Sequence, residues 1–185
     1  MSRFNLLVLF VYTVLATACA TSGTPNTRSV SPRVSPQTGA IMGHFAAPGG
    51  VQTLMLQPAD KPRRHPYSKG IHAHVDARGY FFFENLEPGE YYLMSLASGP
   101  EGRDFYRLAY NKKTALSKIV TVSAGNLTYM GSFIIDNVIS DLLKLDSFRF
   151  RRVDEPTEKQ VLQGVIPMVV NTGWEQLVFR RLRDM

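Results

Sequence analysis

Apolar and polar positions divide the chain into three parts. Leu6 to Leu15 (LLVLFVYTVL) form one largely apolar run. A bilayer-spanning helix takes about 20 such residues, so the run is too short for a stable span. From Ala20 to Thr38 large apolar side chains almost vanish, and Ser, Thr and Pro replace them. From Ala40 onward short apolar runs recur between turn residues, the pattern of a β-rich domain. Ala40 to Phe45 and Val51 to Leu56 are split by Ala47-Pro48-Gly49-Gly50, which predicts a hairpin. Ile71, Ala73 and Val75 alternate with His72, His74 and Asp76, the period of a half-exposed strand.

Gly79 to Leu93 (GYFFFENLEPGEYYL) predicts two aromatic-rich strands around a turn. Pro88 presets the backbone for the first central turn position, and Gly89 accepts the positive φ of the second. Tyr80, Phe82 and Glu84 share one face of the first strand and Phe81 and Phe83 the other, so both faces are expected to be covered. Phe105 to Tyr110, Lys118 to Val122, Leu127 to Ile135 and Phe148 to Arg151 supply further strands, with Ala124-Gly125-Asn126 as another turn. The period then changes. Pro156 suits the first turn of a helix, and Val161, Leu162, Val165 and Ile166 follow at helical spacing. Thr172-Gly173-Trp174-Glu175 resembles a capping box opening a second helix, whose Trp174, Leu177, Val178 and Leu182 form one stripe.

Composition sharpens the middle part. A Ser/Thr/Pro stretch buries too little surface to offset its ordering entropy, so Ala20 to Thr38 predict a flexible tether. The residues beyond it suit one domain with a sizeable core. The chain carries 21 Lys+Arg against 15 Asp+Glu, and removing everything before Cys19 deletes only Arg3 among them. A single cysteine excludes an internal disulfide, so the core alone stabilises the fold.

Arg3, the apolar run and Leu15-Ala16-Thr17-Ala18-Cys19 resemble the signal peptide and lipobox of bacterial lipoproteins. The family prefers Leu where Ala16 stands here. The resemblance implies cleavage before Cys19, a diacylglyceryl group on its thiol and a membrane anchor. Each buried methylene contributes about 0.8 kcal/mol, so two or three acyl chains make release negligible. Ala20 rather than Asp after the cysteine implies the outer membrane, with the domain facing the periplasm and surface exposure left open. That address argues against nucleic acid as a partner and leaves lipid phosphates, glycans and envelope proteins within reach.

The run Gly79 to Leu93 resembles the G-x-F-x-F-x-N-L-x-P-G-x-Y-x-L signature of carboxypeptidase-regulatory-like domains, also called transthyretin-like or prealbumin-like. Gly43 with its strand, and Val122-Ser123-Ala124-Gly125, fit the opening and a late strand of such domains. The resemblance covers roughly residues 39 to 135 and implies a mainly β fold, an antiparallel sandwich of seven or eight strands with a short C-terminal helical tail. The organisation is then a signal peptide over 1–18, a lipidated cysteine and tether over 19–38, the sandwich over 39–153 and the tail over 154–185.

Candidate chemistry is sparse. His72 and His74, two apart on a strand, project to one face and could reach one metal ion, with His65 and Asp76 completing a shell. Solvent-facing histidines on a polar strand face account for them as well. Arg63 and Arg64, with Lys61, His65 and Lys69, could grip phosphate groups, or simply make a soluble basic loop. Tyr91 and Tyr92, with Tyr80, Tyr106 and Tyr110, could form a platform for sugar rings or a partner's apolar surface. Arg180, Arg181 and Arg183 suit the negative end of the last helix's dipole. No Gly-x-Ser-x-Gly elbow, HExxH or phosphate-cradling glycine loop is present, and no cofactor is implied. The expectation is a non-catalytic, membrane-anchored module that binds an envelope protein and supports a complex. A glycan-binding module for peptidoglycan or lipopolysaccharide, and a metal-binding protein using His72 and His74, are the alternatives.

Overall fold

The computed structural model of the chain describes residues 30–47, 50–60, 70–98, 104–107, 120–141 and 144–185. These form β1 (Gly39–Ala46), β2 (Val51–Pro58), β3 (Ile71–His72), β4 (His74–Val75), β5 (Tyr80–Leu86) and β6 (Gly89–Ser98). They continue through β7 (Asp104–Arg107), β8 (Val120–Val122), β9 (Leu127–Asp141) and β10 (Lys144–Val153). Two helices close the chain, α1 (Glu158–Val169) and α2 (Gly173–Arg183).

One five-stranded sheet runs β10-β9-β1-β5-β4; the other runs β3-β2-β6-β7, with β8 also pairing β6. The expected sandwich with a helical tail is therefore present. Counting β3 and β4 as one strand broken at Ala73 gives nine strands among the described residues, more than the seven or eight expected. One pairing also departs from the antiparallel expectation: β1 and β9 run parallel. A parallel pair needs a long crossover, and here the whole second sheet lies between the two strands in sequence.

The expected hairpin of the first two strands does not form. β1 pairs β5 and β9, whereas β2 pairs β3 and β6, so the link between them crosses from one sheet to the other. The Pro88-Gly89 turn does the same, delivering β5 to the first sheet and β6 to the second. Burial explains both outcomes. Each of these strands carries apolar side chains that a two-stranded ribbon would leave in water, and facing sheets cover them.

The core between the sheets gathers Ile41, Phe45, Leu54, Phe81, Phe83 and Leu96, none more than 1% exposed. A second core lies on the outer face of the first sheet, where Met42 and Phe82 meet Leu162, Val165, Trp174 and Val178, all fully buried. The alternation of β5 thus divides as expected, Phe81 and Phe83 inward, Tyr80 and Phe82 outward. Its second face is covered by the helices, which pack on the sandwich of their own chain. Fully burying one such side chain contributes about 1.5–3 kcal/mol, and Phe82 adds an edge-on contact with Trp174 at 5.8 Å.

Local chemistry sets the helix ends. Thr157 caps α1: its side chain accepts from Gln160 N while Gln160 Oε1 accepts from Thr157 N, the reciprocal pair of a capping box. Pro156 therefore stands before the cap and not in the first turn. Its carbonyl accepts from Ser132 Oγ and Tyr129 Oη, which ties the approach to α1 onto β9. Thr172 caps α2 by accepting from Trp174 N at 3.2 Å. Glu175 reaches one residue further back than a capping box requires, accepting from Asn171 N at 2.8 Å.

Candidate functional site

The residues singled out from the sequence do not come together. Cys19, Arg63, Arg64 and His65 lie outside the described residues. Tyr91 and Tyr92 are 4% and 3% exposed, which corrects their placement on a contact surface. Tyr91 belongs to the core between the sheets and its hydroxyl donates to the Glu87 carbonyl at 2.8 Å. Burial pushes its phenol above the ordinary value of 10.0, with the charges of Glu87 and Asp60 adding to the effect. Tyr80 packs beneath α1, where its ring lies against Gly164.

The shared face proposed for His72 and His74 is also corrected. The chain switches sheets at Ala73, leaving His72 paired with β2 and His74 with β5. His72 is exposed, while His74 Nε2 bonds Glu84 Oε1 at 3.0 Å. Asp76 caps the tight turn before β5, accepting from Arg78 N, Arg78 Nε and Tyr80 N. Among the described residues no three His, Cys, Asp or Glu side chains are grouped to hold a metal ion.

What the fold assembles instead is a docking groove for residues 30–38. Composition places this stretch in the tether, yet Val30 is 5% exposed and belongs to the second core. Glu84 holds Ser31 by both carboxylate oxygens, at 3.0 and 2.8 Å from its N–H. Asn85 Nδ2 donates to the Arg33 carbonyl at 3.4 Å, and Asn85 Oδ1 accepts from Thr38 Oγ1 at 3.3 Å. The Pro32 carbonyl accepts from Gly173 N at 3.3 Å, and the Val34 side chain fills the space a Cβ on Gly173 would need. The strap therefore links β5 to the start of α2. Asn85 can serve it because it sits at φ 53, a left-handed conformation Asn tolerates, where the β1–β5 register skips a residue.

A polar corner lies at the far end of the same sheet face. His44 Nε2 bonds the Arg78 carbonyl at 3.0 Å, and its ring meets Tyr80 edge-on with centroids 5.1 Å apart. Arg78 lies over the Tyr80 ring at 4.8 Å and donates to the Gly164 carbonyl at 3.0 Å, joining the β4–β5 turn to α1. Burial holds the His44 imidazole below its ordinary 6.5, against smaller opposing effects of the Arg78 carbonyl bond and the Asp76 charge. His44 Nδ1 is buried without a hydrogen-bond partner. This corner fastens a helix to a sheet and brings no nucleophile beside a base.

The helix pair presents a different surface. Val170, Phe179 and Met185, the exposed large hydrophobic side chains among the described residues, all belong to this C-terminal segment. Arg181 pairs with Glu158 of α1 at 3.0 Å. The sequence signal for this surface was the polar side of the α2 stripe, where Phe179 interrupts Gln176, Arg180 and Arg183.

No protein-family model and no curated protein matches the chain. Similar solved structures include a minor pilin of Streptococcus agalactiae, 12% identical with a TM-score of 0.32, matched over 65% of this chain and 47% of the pilin. They also include a DUF3823 family protein of Bacteroides ovatus, 14% identical with a TM-score of 0.30 over 64% of this chain and 59% of that one. A DUF3823 family protein of Parabacteroides merdae is 20% identical, with a TM-score of 0.27 over 64% and 60%. The match spans about half to three-fifths of these structures, and likeness this slight carries no argument about function.

Proposed function

We propose that the chain is an envelope lipoprotein of the outer membrane, anchored through acylated Cys19, whose non-catalytic sandwich binds an envelope protein and supports assembly of a complex. The observation that carries this reading is the strap. Residues that lead directly from Cys19 are stitched to β5 by Glu84 and Asn85 and to α2 through Pro32, which gives an anchor a fixed attachment on the domain. An exported enzyme would need a cleft with converging polar groups; the polar clusters described here each fasten one element to another. The carboxypeptidase-regulatory-like reading of the sandwich belongs to the same proposal, supported by the run from Gly79 to Leu93 and by Asn85, whose side chain serves the strap.

The test is affinity purification of the chain from membranes in mild detergent, with palmitate labelling and a Cys19→Ala control. A stoichiometric envelope protein that co-purifies with the labelled chain and disappears in the control supports the proposal. Label absent from the wild-type chain refutes the anchor. A labelled chain that purifies alone refutes the assembly role.

A further inference from the structure

Along α2 the stripe of Trp174, Val178 and Leu182 faces the second core. By helical geometry Gln176, Phe179, Arg180 and Arg183 then share the side turned away from it. Phe179 is 47% exposed there. Arg181 is committed to Glu158, whereas Arg180 and Arg183 have no acidic partner among the described residues. An aromatic ring flanked on one side by two guanidinium groups, on a helix lying over the fold, fits an interface of apolar depth and negative charge.

We propose that this outward face of α2 rests on an anionic phospholipid surface, with Phe179 at headgroup depth and Arg180 and Arg183 paired to lipid phosphates. The inference rests on the acyl anchor at Cys19. The strap brings the anchored end of the chain to the side of the domain where α2 begins, because Pro32 and Val34 meet Gly173. Val30 lies eleven residues beyond Cys19, and a chain of that length extends at most about 36–40 Å. Phe179 lies six residues along α2 from Gly173, about 9 Å further on. A chain anchored at Cys19 would thus carry this face within reach of the bilayer before any contact forms. An intramolecular contact of this kind works at an effective concentration in the millimolar range, so one ring and two charges suffice to set orientation.

The test couples the chain from Cys19 onward to vesicles through a maleimide lipid at Cys19, so that the anchor does not depend on acylation in the cell. A photo-crosslinking benzoylphenylalanine replaces Phe179 or, as control, Gln52, an exposed residue of β2. On vesicles containing phosphatidylglycerol the Phe179 site is expected to give phospholipid adducts and the Gln52 site few. Arg180→Gln with Arg183→Gln, checked for native circular dichroism, lowers the Phe179 adducts about thirtyfold, and pure phosphatidylcholine lowers them for the unaltered arginines. Equal adducts from both sites, or adducts indifferent to lipid charge and to the arginines, overturn the proposal. So does a protein adduct in place of lipid when the Phe179 site is irradiated in cells. Palmitate labelling of Cys19 in those cells reports separately on the anchor.

Discussion

Replacing Gly164 with alanine sets helix propensity against packing, and the structure decides the sign. In α1 the added methyl favours the helix by about 1 kcal/mol. That methyl would stand 2.6 Å from Tyr80 Cε1 and Cζ, well inside the ~3.5–4.0 Å that carbon atoms keep. Tyr80 has little room to yield. The His44 ring closes one side at 5.1 Å, and the Arg78 guanidinium lies over the ring at 4.8 Å. Lifting α1 instead would stretch the Arg78 bond to the Gly164 carbonyl, now 3.0 Å. Overpacking of this kind costs about 1–3 kcal/mol, and a lost bond to a charged donor about 1.5–3. Less the propensity gain of about 1 kcal/mol, either route leaves a net destabilisation of up to about 2 kcal/mol. Urea unfolding followed by Trp174 fluorescence reads it, since this sole tryptophan is fully buried in the same core. With a slope of ~2 kcal/mol per molar the midpoint falls by up to about 1 M. In a Tyr80→Ala background the clash is gone, and Gly164→Ala there raises the midpoint. A rise in the wild-type background, or the same fall in both, refutes the reasoning.

Glu84→Gln keeps the shape but weakens the two bonds to Ser31 N, so residues 30–38 exchange their amide hydrogens faster while β5 does not; unchanged exchange at Ser31 counts against the strap. Asn85→Ala loses its side-chain bonds and strains a backbone at φ 53, costing about 2 kcal/mol. Asn85→Gly loses only the bonds, so its unfolding midpoint lies above that of the alanine variant. Leu162→Ala empties a fully buried position and costs about 2–5 kcal/mol in denaturant unfolding. His44 is held below 6.5 by burial, so the unfolded chain binds its proton first as pH falls. The contribution is present above pH 6.5 and is lost as pH drops through the lowered value. Urea midpoints between about pH 7.5 and about pH 5 therefore decline less in His44→Gln than in the wild type, and an equal decline rules His44 out.

The elements were legible and their partners were not. The period of two in β5, the helical stripe of Trp174 and Val178, and the turn at Gly125 all follow from spacing alone, because each depends on residues a few positions apart. Pairing depends on which strand covers which face. Nothing in Ala40 to Leu56 states that the link at Ala47-Pro48-Gly49-Gly50 changes sheets, since turn residues serve a hairpin and a crossing equally well. Tyr91 and Tyr92 show the same blindness. Both read as candidates for a platform that meets a sugar ring or a partner, yet both are covered. His72 and His74 satisfy the spacing rule for a shared face, and the break at Ala73 removes the premise by sending them to different sheets.

The strap is where composition misleads most, and the difference has a physical consequence. A stretch rich in Ser, Thr and Pro buries little of its own, but Val30 needs only the groove between the first sheet and the helices, and Ser31 only the Glu84 carboxylate. Neither partner is visible from local sequence. Had all of 20–38 been free, an anchor on Cys19 would reach Gly39 over twenty residues, an extended span of about 66–72 Å. With Val30 docked, the same anchor could stand at most about 36–40 Å from the domain. For a chain anchored as proposed, the shorter reach would raise the local concentration of the α2 face at the membrane and restrict which face arrives there. Glu84→Gln loosens that restriction without touching the lipid. In the vesicle experiment it is expected to lower adducts at the Phe179 site and raise them at the Gln52 site. If the ratio between the two sites does not move, the strap holds the chain to the fold but does not orient it.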